Sequence, residues 1–459
     1  MAKNKSFTEG PLFSKIFLFA LPIMLSAILQ MSYTMADKIV VGRFSGDPNA
    51  LGAVGSTTAL VNLTTQLLLG ISTGSSVVVA QSFGAKREKE VSDAVHTAMT
   101  VALVGGIMFS LAALLCARPM LVLMGTNVEL LDTAVLYFQI MCLGIPAAAI
   151  YNYGAAILRS VGDSRIPLII LGVTGLVNVV FNLVFVLALG MSADGVAIST
   201  IISQYLSAIW VTCILVRRKN ECYSLSRKKY CFNKALCKRI MRLGIPAGIQ
   251  SSMFGISNVL MTSGINTLPL AAIKANPIAS SIDSLTSTTC NAFFSASITF
   301  IGQNYGARKP DRIKKAFIYS ILQATVITLV IAAIELIFVD KISYVFIDTA
   351  DPMKEEIAAN VRAICTLMLP TYFIGAVMDT VSGAVKALGY SLSPMVCSLT
   401  CICGLRIIWI FFIFPLETFN SISGLFLIYP ITWTICAASL FVLWLIAQKR
   451  VKELAVAKE

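Results

Sequence analysis

Apolar stretches of about 20 residues, the length that crosses a hydrocarbon core, recur along the whole chain between short polar or Gly/Pro-bearing breaks. Twelve are found, centred near Leu25, Thr65, Val104, Met141, Val179, Leu206, Gly255, Thr288, Thr328, Leu369, Gly404 and Ala437. Segments of this length and apolarity can satisfy their backbone in lipid only as helices. The pattern therefore predicts an all-α polytopic membrane protein with twelve transmembrane helices. The first stretch follows Lys3, Lys5 and Lys15 but outruns a signal sequence and lacks a small-residue cleavage site, so it is expected to be a retained helix.

Composition sharpens this picture. Of 459 residues, 57% are apolar and 13% charged, with mean hydropathy +0.82, more apolar surface than one soluble core of this length would bury. A net charge of +13 would suggest nucleic acid in a soluble chain, but here the basic residues sort by loop. The N-terminus and the loops after even-numbered stretches carry Lys86, Arg87, Lys89, Arg159, Arg165, the run Arg217 to Arg242, Arg308 to Lys315, Lys386 and the tail from Lys449. The opposite side holds only Lys38, Arg43, Arg118, Lys274, Lys341, Lys354 and Arg362. This asymmetry predicts both termini and the Arg217–Arg242 loop in the cytoplasm, with the lipid bilayer as partner and no nucleic acid. The twelve Cys lack paired metal spacing and read as small core residues, and His96, the sole histidine, has no second ligand beside it. No metal cofactor is expected.

The chain also repeats itself at an offset of roughly 225 residues, and repeats decide architecture. Gln81-Ser82-Phe83-Gly84-Ala85-Lys86-Arg87 matches Gln303-Asn304-Tyr305-Gly306-Ala307-Arg308-Lys309. Leu158-Arg159-Ser160-Val161-Gly162-Asp163-Ser164-Arg165-Ile166-Pro167 matches Val385-Lys386-Ala387-Leu388-Gly389-Tyr390-Ser391-Leu392-Ser393-Pro394, and Leu21-Pro22 matches Ile245-Pro246. Six spans per half is an even number, so both halves enter the membrane in one orientation, the parallel-repeat class of transporter. The predicted organisation is an N-lobe over 1–216 (helices 1–6), a basic linker over 217–239 and a C-lobe over 240–459 (helices 7–12). Pro22 is placed to bend helix 1.

The repeated Q-x-[FY]-G-A-[KR]-[KR] motif, the Gly162-to-Pro167 turn and the segment Ala36-Asp37-Lys38-Ile39-Val40-Val41-Gly42-Arg43-Phe44 resemble the multidrug and toxic compound extrusion (MATE) transporters over essentially the whole chain. Pro246-Ala247-Gly248-Ile249-Gln250-Ser251-Ser252 and the stretch Asn291 to Gly306 resemble its DinF-like bacterial branch. The resemblance implies a V-shaped pair of pseudo-symmetric six-helix lobes in a bacterial inner membrane. It also implies export of small organic, often cationic or amphipathic, molecules against inward proton or sodium flow. A monomer without cofactor is expected.

Ionisable residues at bilayer depth are costly and functional by default. Asp37 resembles the helix 1 aspartate that carries the coupling ion in the family. Asn178 and Asn182, spaced i,i+4, share a helix face. With Thr200 they resemble the N-lobe ion pocket, although Asn182 stands where the family pattern has Asp and so removes one negative charge. In the C-lobe, Asp379 is a cavity candidate or a packing partner for Arg406; Gln250 replaces a family glutamate, and Asp283 and Glu335 complete the set. The proton is favoured over sodium as coupling ion, with sodium at Asp37, Asn178, Asn182 and Thr200 as the alternative. A lipid-linked precursor flippase would need more intramembrane cations than Arg406, and a membrane-bound transferase would need a catalytic constellation the chain lacks; no enzyme is expected.

Overall fold

The computed structural model describes residues 6–44, 50–347 and 351–456. Among these every regular element is helical. Helices α1 (Leu12–Phe44), α2 (Ala50–Gly84), α3 (Glu88–Leu123), α4 (Val128–Leu143), α5 (Ile145–Ser160), α6 (Arg165–Leu183) and α7 (Ala193–Arg217) fill the first half. The second half holds α8 (Lys234–Ile265), α9 (Leu270–Gly306), α10 (Pro310–Ile337), α11 (Val339–Phe346), α12 (Lys354–Met368), α13 (Tyr372–Ala387), α14 (Leu392–Ser398), α15 (Leu405–Ile408), α16 (Ile422–Phe426) and α17 (Ile428–Val456). Among the described residues nine helical segments are long and apolar enough to cross a membrane, and α4 with α5, bent by 43°, make a tenth. The bend has a local cause: Pro146 opens α5 and cannot continue the hydrogen-bond ladder of α4. With 32 and 37 residues, α8 and α9 are also long enough to cross. They are too rich in Ser, Thr and Asn to pass as apolar, and the expected twelve spans include them.

The chain divides into two compact units, one containing Leu25–Ser252 and the other Phe7–Met24 with Met253–Glu459. Two helices are therefore shared. Helix α1 gives residues 12–24 to the second unit and 25–44 to the first, and α8 gives residues 234–252 to the first unit although the sequence places 240 onward in the second half. Pro22 lies inside α1, which continues through it as one helix, and the change of unit follows two residues later, between Met24 and Leu25.

Within the first unit, α8 is held against α2 at a crossing of four glycines. A methyl group at Gly70 would come within 2.5 Å of the Gly248 Cα, one at Gly74 within 2.2 Å of the Ile240 carbonyl, and one at Gly244 within 2.4 Å of the Ile71 carbonyl. In lipid, where apolar surface alone does not drive helices together, close backbone approach of this kind holds them. The linker belongs to the same unit. His96 is 2% exposed, its Nδ1 lies 2.7 Å from the Ser92 carbonyl, and its Nε2 accepts from the Ser226 N–H at 3.0 Å. Thr97 accepts from the Asn233 N–H, and Arg218 pairs with Asp163 at 3.1 Å and meets the Tyr223 hydroxyl.

The sequence repeat recurs as backbone geometry. Lys86 and Arg308, equivalent in the first motif, both take φ 56°, and Gly162 and Gly389, equivalent in the second, both take φ 97°. Each closes a helix in the same way: the N–H of Arg87 returns to Ser82, Lys309 to Asn304, Asp163 to Leu158 and Tyr390 to Val385, the six-residue closure of a Schellman motif. The core of the second unit, mostly aliphatic, includes stacked aromatic pairs, with Phe7 on Phe300 at 3.9 Å and Phe317 on Trp444 at 4.1 Å. The N-terminal segment is tied down there by Gln303, whose Oε1 accepts the Phe7 N–H, and by Asn304 and Arg312, which donate to the Phe7 carbonyl.

Candidate functional site

The spacing of Asn178 and Asn182 puts both carboxamides on one face of α6, and that face is buried, with exposures of 5% and 0%. Asn182 Nδ2 donates to Asp37 Oδ1 at 2.5 Å and lies 3.5 Å from Asn178 Oδ1. Asn178 Nδ2 in turn donates to Thr200 Oγ1 at 3.3 Å and reaches Ser199 Oγ at 3.4 Å. The four residues named from the sequence thus form one connected polar network between α1, α6 and α7. A fifth member, Ser199, is fully buried, and its hydroxyl donates to Asn182 Oδ1. It directly precedes Thr200; the periodicity of α6 marks the two amides but carries no information on which face of α7 they meet.

An apolar cluster lies partly on the same helices. Val40, Val41, Val54, Tyr137, Val186, Ala193, Val196 and Ala197 pack as one buried cluster, and α6 ends in a π-helical turn, Val184–Ala188, a local widening frequent at functional positions. Tyr33 lies along α6, its hydroxyl donating to the Gly172 carbonyl at 2.9 Å, and fills the space a side chain at Gly175 would need. Asp37 is half-buried and forms no ion pair with a described side chain; that of Lys38 lies outside the described ones.

The second-lobe candidates do not gather in the same way. Gln250 is 5% exposed and belongs to the first unit. Asp283, on α9, accepts from the Tyr372 hydroxyl at 3.1 Å. Glu335, on α10 and 4% exposed, accepts from Thr286 at 2.5 Å through one oxygen, while its Oε1 is buried without a partner. Asp379 and Arg406, open to pairing from the sequence, are not paired. Lys386, two turns along α13 from Asp379, sits 5.0 Å over the Phe294 ring. Arg406 instead donates to Ser257 at 2.9 Å and Asn258 at 3.4 Å and lies 4.0 Å over the ring of Tyr429.

Comparison with known proteins bears on both halves. The MatE family profile matches residues 22–184 and 246–412, once in each half of the repeat. The chain belongs to the MatE family. Relatives include the probable multidrug resistance protein YoeA of Bacillus subtilis, 26% identical over 91% of this chain and 90% of its own length. The probable multidrug resistance protein NorM of Thermotoga maritima is 26% identical over 82% of this chain and 80% of its own. Among solved structures, a MATE-family multidrug transporter in an outward-facing conformation matches with a TM-score of 0.88 at 19% identity over 99% of both chains. A Pyrococcus furiosus transporter of the wider superfamily matches with a TM-score of 0.89 at 20% identity over the same share. The fold is that of the MATE transporters, and this MatE protein is a multi-pass membrane protein.

Proposed function

We propose that this MatE protein is a secondary active exporter of small organic molecules in a bacterial inner membrane, both termini cytoplasmic, with Asp37 carrying the coupling ion. Two close relatives bear names of probable multidrug resistance proteins, which supports the transport class. The observation that carries the site is the Asp37–Asn182–Asn178 network: one carboxylate, half-buried, held by neutral amides and hydroxyls and given no counter-charge by them. An anion in such surroundings needs a compensating cation, and the coupling ion supplies it. The orientation of the amides favours the proton. Asn182 presents its N–H to Asp37 while its oxygen takes the Ser199 hydroxyl, so the oxygen shell a sodium ion needs would require the carboxamides to turn round. Binding and loss of one proton then changes the charge at the junction of α1, α6 and α7, a local electrostatic event able to bias a two-state element.

The test is export of a panel of cationic dyes and metabolites from proteoliposomes under an imposed proton or sodium gradient, with Asp37→Asn as the isosteric control. Proton-driven export lost in Asp37→Asn is expected. Transport driven by sodium alone at symmetric pH would sink the proton assignment, and full gradient-driven activity in Asp37→Asn would remove Asp37 from the mechanism.

A further inference from the structure

Arg406 is a buried cation that the exporter mechanism above leaves unused. It is 3% exposed, inside the apolar stretch Leu392–Ile413, and no carboxylate among the described residues pairs with it. An uncompensated guanidinium at such depth is a standing cost, and charges kept there serve ligand or ion paths. The surrounding backbone is unusual as well. Arg406 lies in the short α15 between two π-helical segments, Leu399–Gly404 and Trp409–Ile413, irregularities that re-aim side chains and leave carbonyls out of the regular ladder.

The guanidinium has two edges and two faces, and its neighbours take them unequally. One face is covered by Tyr429, 4.0 Å from the ring centre. Nη1 is engaged by Ser257 Oγ and Asn258 Oδ1, both neutral acceptors on α8. Nε is buried with no acceptor, and no acceptor for Nη2 is found among the described residues. These last two nitrogens carry the parallel N–H pair that meets the two oxygens of a carboxylate or phosphate side by side. A structural arginine would be expected to have spent that edge on a carbonyl or carboxylate. Here the edge is left open, with its Nε end buried.

We propose that Arg406 is an anion-recognition point within the second unit, where a carboxylate or phosphate group docks on the Nε–Nη2 edge while Tyr429, Ser257 and Asn258 hold the guanidinium in place. The group belongs either to the transported molecule or to a lipid headgroup, which present the same oxygens. In the first case the inference rests on the exporter reading and narrows its substrates to small organic molecules bearing an anionic group.

The experiment measures binding of radiolabelled inorganic phosphate to the purified full-length protein in neutral detergent, with citrate as competitor. A parallel arm compares thermal stability in phosphatidylcholine nanodiscs with and without phosphatidylglycerol. Saturable phosphate binding displaced by citrate assigns the site to a soluble anion, and a phosphatidylglycerol-dependent stabilisation without phosphate binding assigns it to lipid. In either arm Arg406→Gln is expected to weaken the response about tenfold or more, the loss for a hydrogen bond to a charged group. Arg406→Lys, which keeps the charge but not the paired edge, is expected to fall between the two. No response from the wild-type protein in either arm overturns the proposal. So does an unchanged response in Arg406→Gln or, should that variant fail to fold, in Arg406→Lys. Neither arm needs a gradient, so dye export without a response in either arm overturns this site alone, and a response in either arm without any gradient-driven transport overturns the exporter reading alone.

Discussion

Asn182 donates its side-chain N–H to the carboxylate of Asp37, joining α6 to α1 across 145 positions of sequence. The contact sits at the centre of the polar network, and the two residues should behave as one unit. Asp37→Asn and Asn182→Ala, each measured alone and together by thermal unfolding in detergent, are expected to be non-additive by about 1 kcal/mol, the range for residues sharing a buried hydrogen bond. Additive effects would mean the contact contributes nothing.

Ser199 supports Asn182 from the other side. Replacing it with Ala leaves Asn182 Oδ1 buried without its donor, and a destabilisation of about 1–3 kcal/mol is expected. Thr200→Ser keeps the hydroxyl that Asn178 Nδ2 reaches and should change stability by less than about 0.5 kcal/mol. The same unfolding assay compares the two.

The helix ends of the repeat offer a backbone test. Gly389 takes φ +97° with open space where a side chain would stand, so Gly389→Ala isolates the conformational cost, expected at about 1–2 kcal/mol. Lys86 takes φ 56° without being glycine, and Lys86→Gly should be neutral or stabilising by up to about 1 kcal/mol. Denaturation midpoints decide both, and a neutral Gly389→Ala would contradict the strained geometry.

At the α2–α8 crossing the obstacle is backbone. Gly74→Ala would place its methyl 2.2 Å from the Ile240 carbonyl, which no rotamer change relieves, so loss of folded protein or several kcal/mol of stability is expected. Gly55→Ala, on the same helix with nothing within 4 Å, should be tolerated. Yield of monodisperse protein on gel filtration separates the two cases.

The linker should be released by removing its one histidine anchor. His96→Ala deletes the acceptor of the Ser226 N–H and the packing of Tyr230 against the imidazole ring. Loss of about 1–1.5 kcal/mol of local stability corresponds to roughly tenfold more open linker. Trypsin cleavage within 227–229 should accelerate accordingly, and an unchanged rate would show that the linker is held elsewhere.

Much of this molecule is a local property of the chain. Hydropathy over about 20 residues decides which segments span, because the bilayer acts on each segment separately. Helical period places Asn178 and Asn182 on one face. The two repeated motifs recur as matching φ values at Lys86 and Arg308 and at Gly162 and Gly389, because helix termination depends on residues within one turn. What a helix face meets is not local. Apolar helices in lipid offer many near-equivalent neighbours, so nothing in the pattern of α7 marks Ser199 as the partner of Asn182. Nor does anything around Arg406 tell Tyr429, Ser257 and Asn258 from Asp379. The membership of α1 and α8 in both units is equally non-local: it follows from close backbone approaches such as Gly70 to Gly248, which exist only once the helices have crossed. The repeat and the polar residues that cannot face lipid are legible in the chain alone; their partners come from tertiary packing, because a buried charge or amide is satisfied by whichever helix lies within about 3 Å.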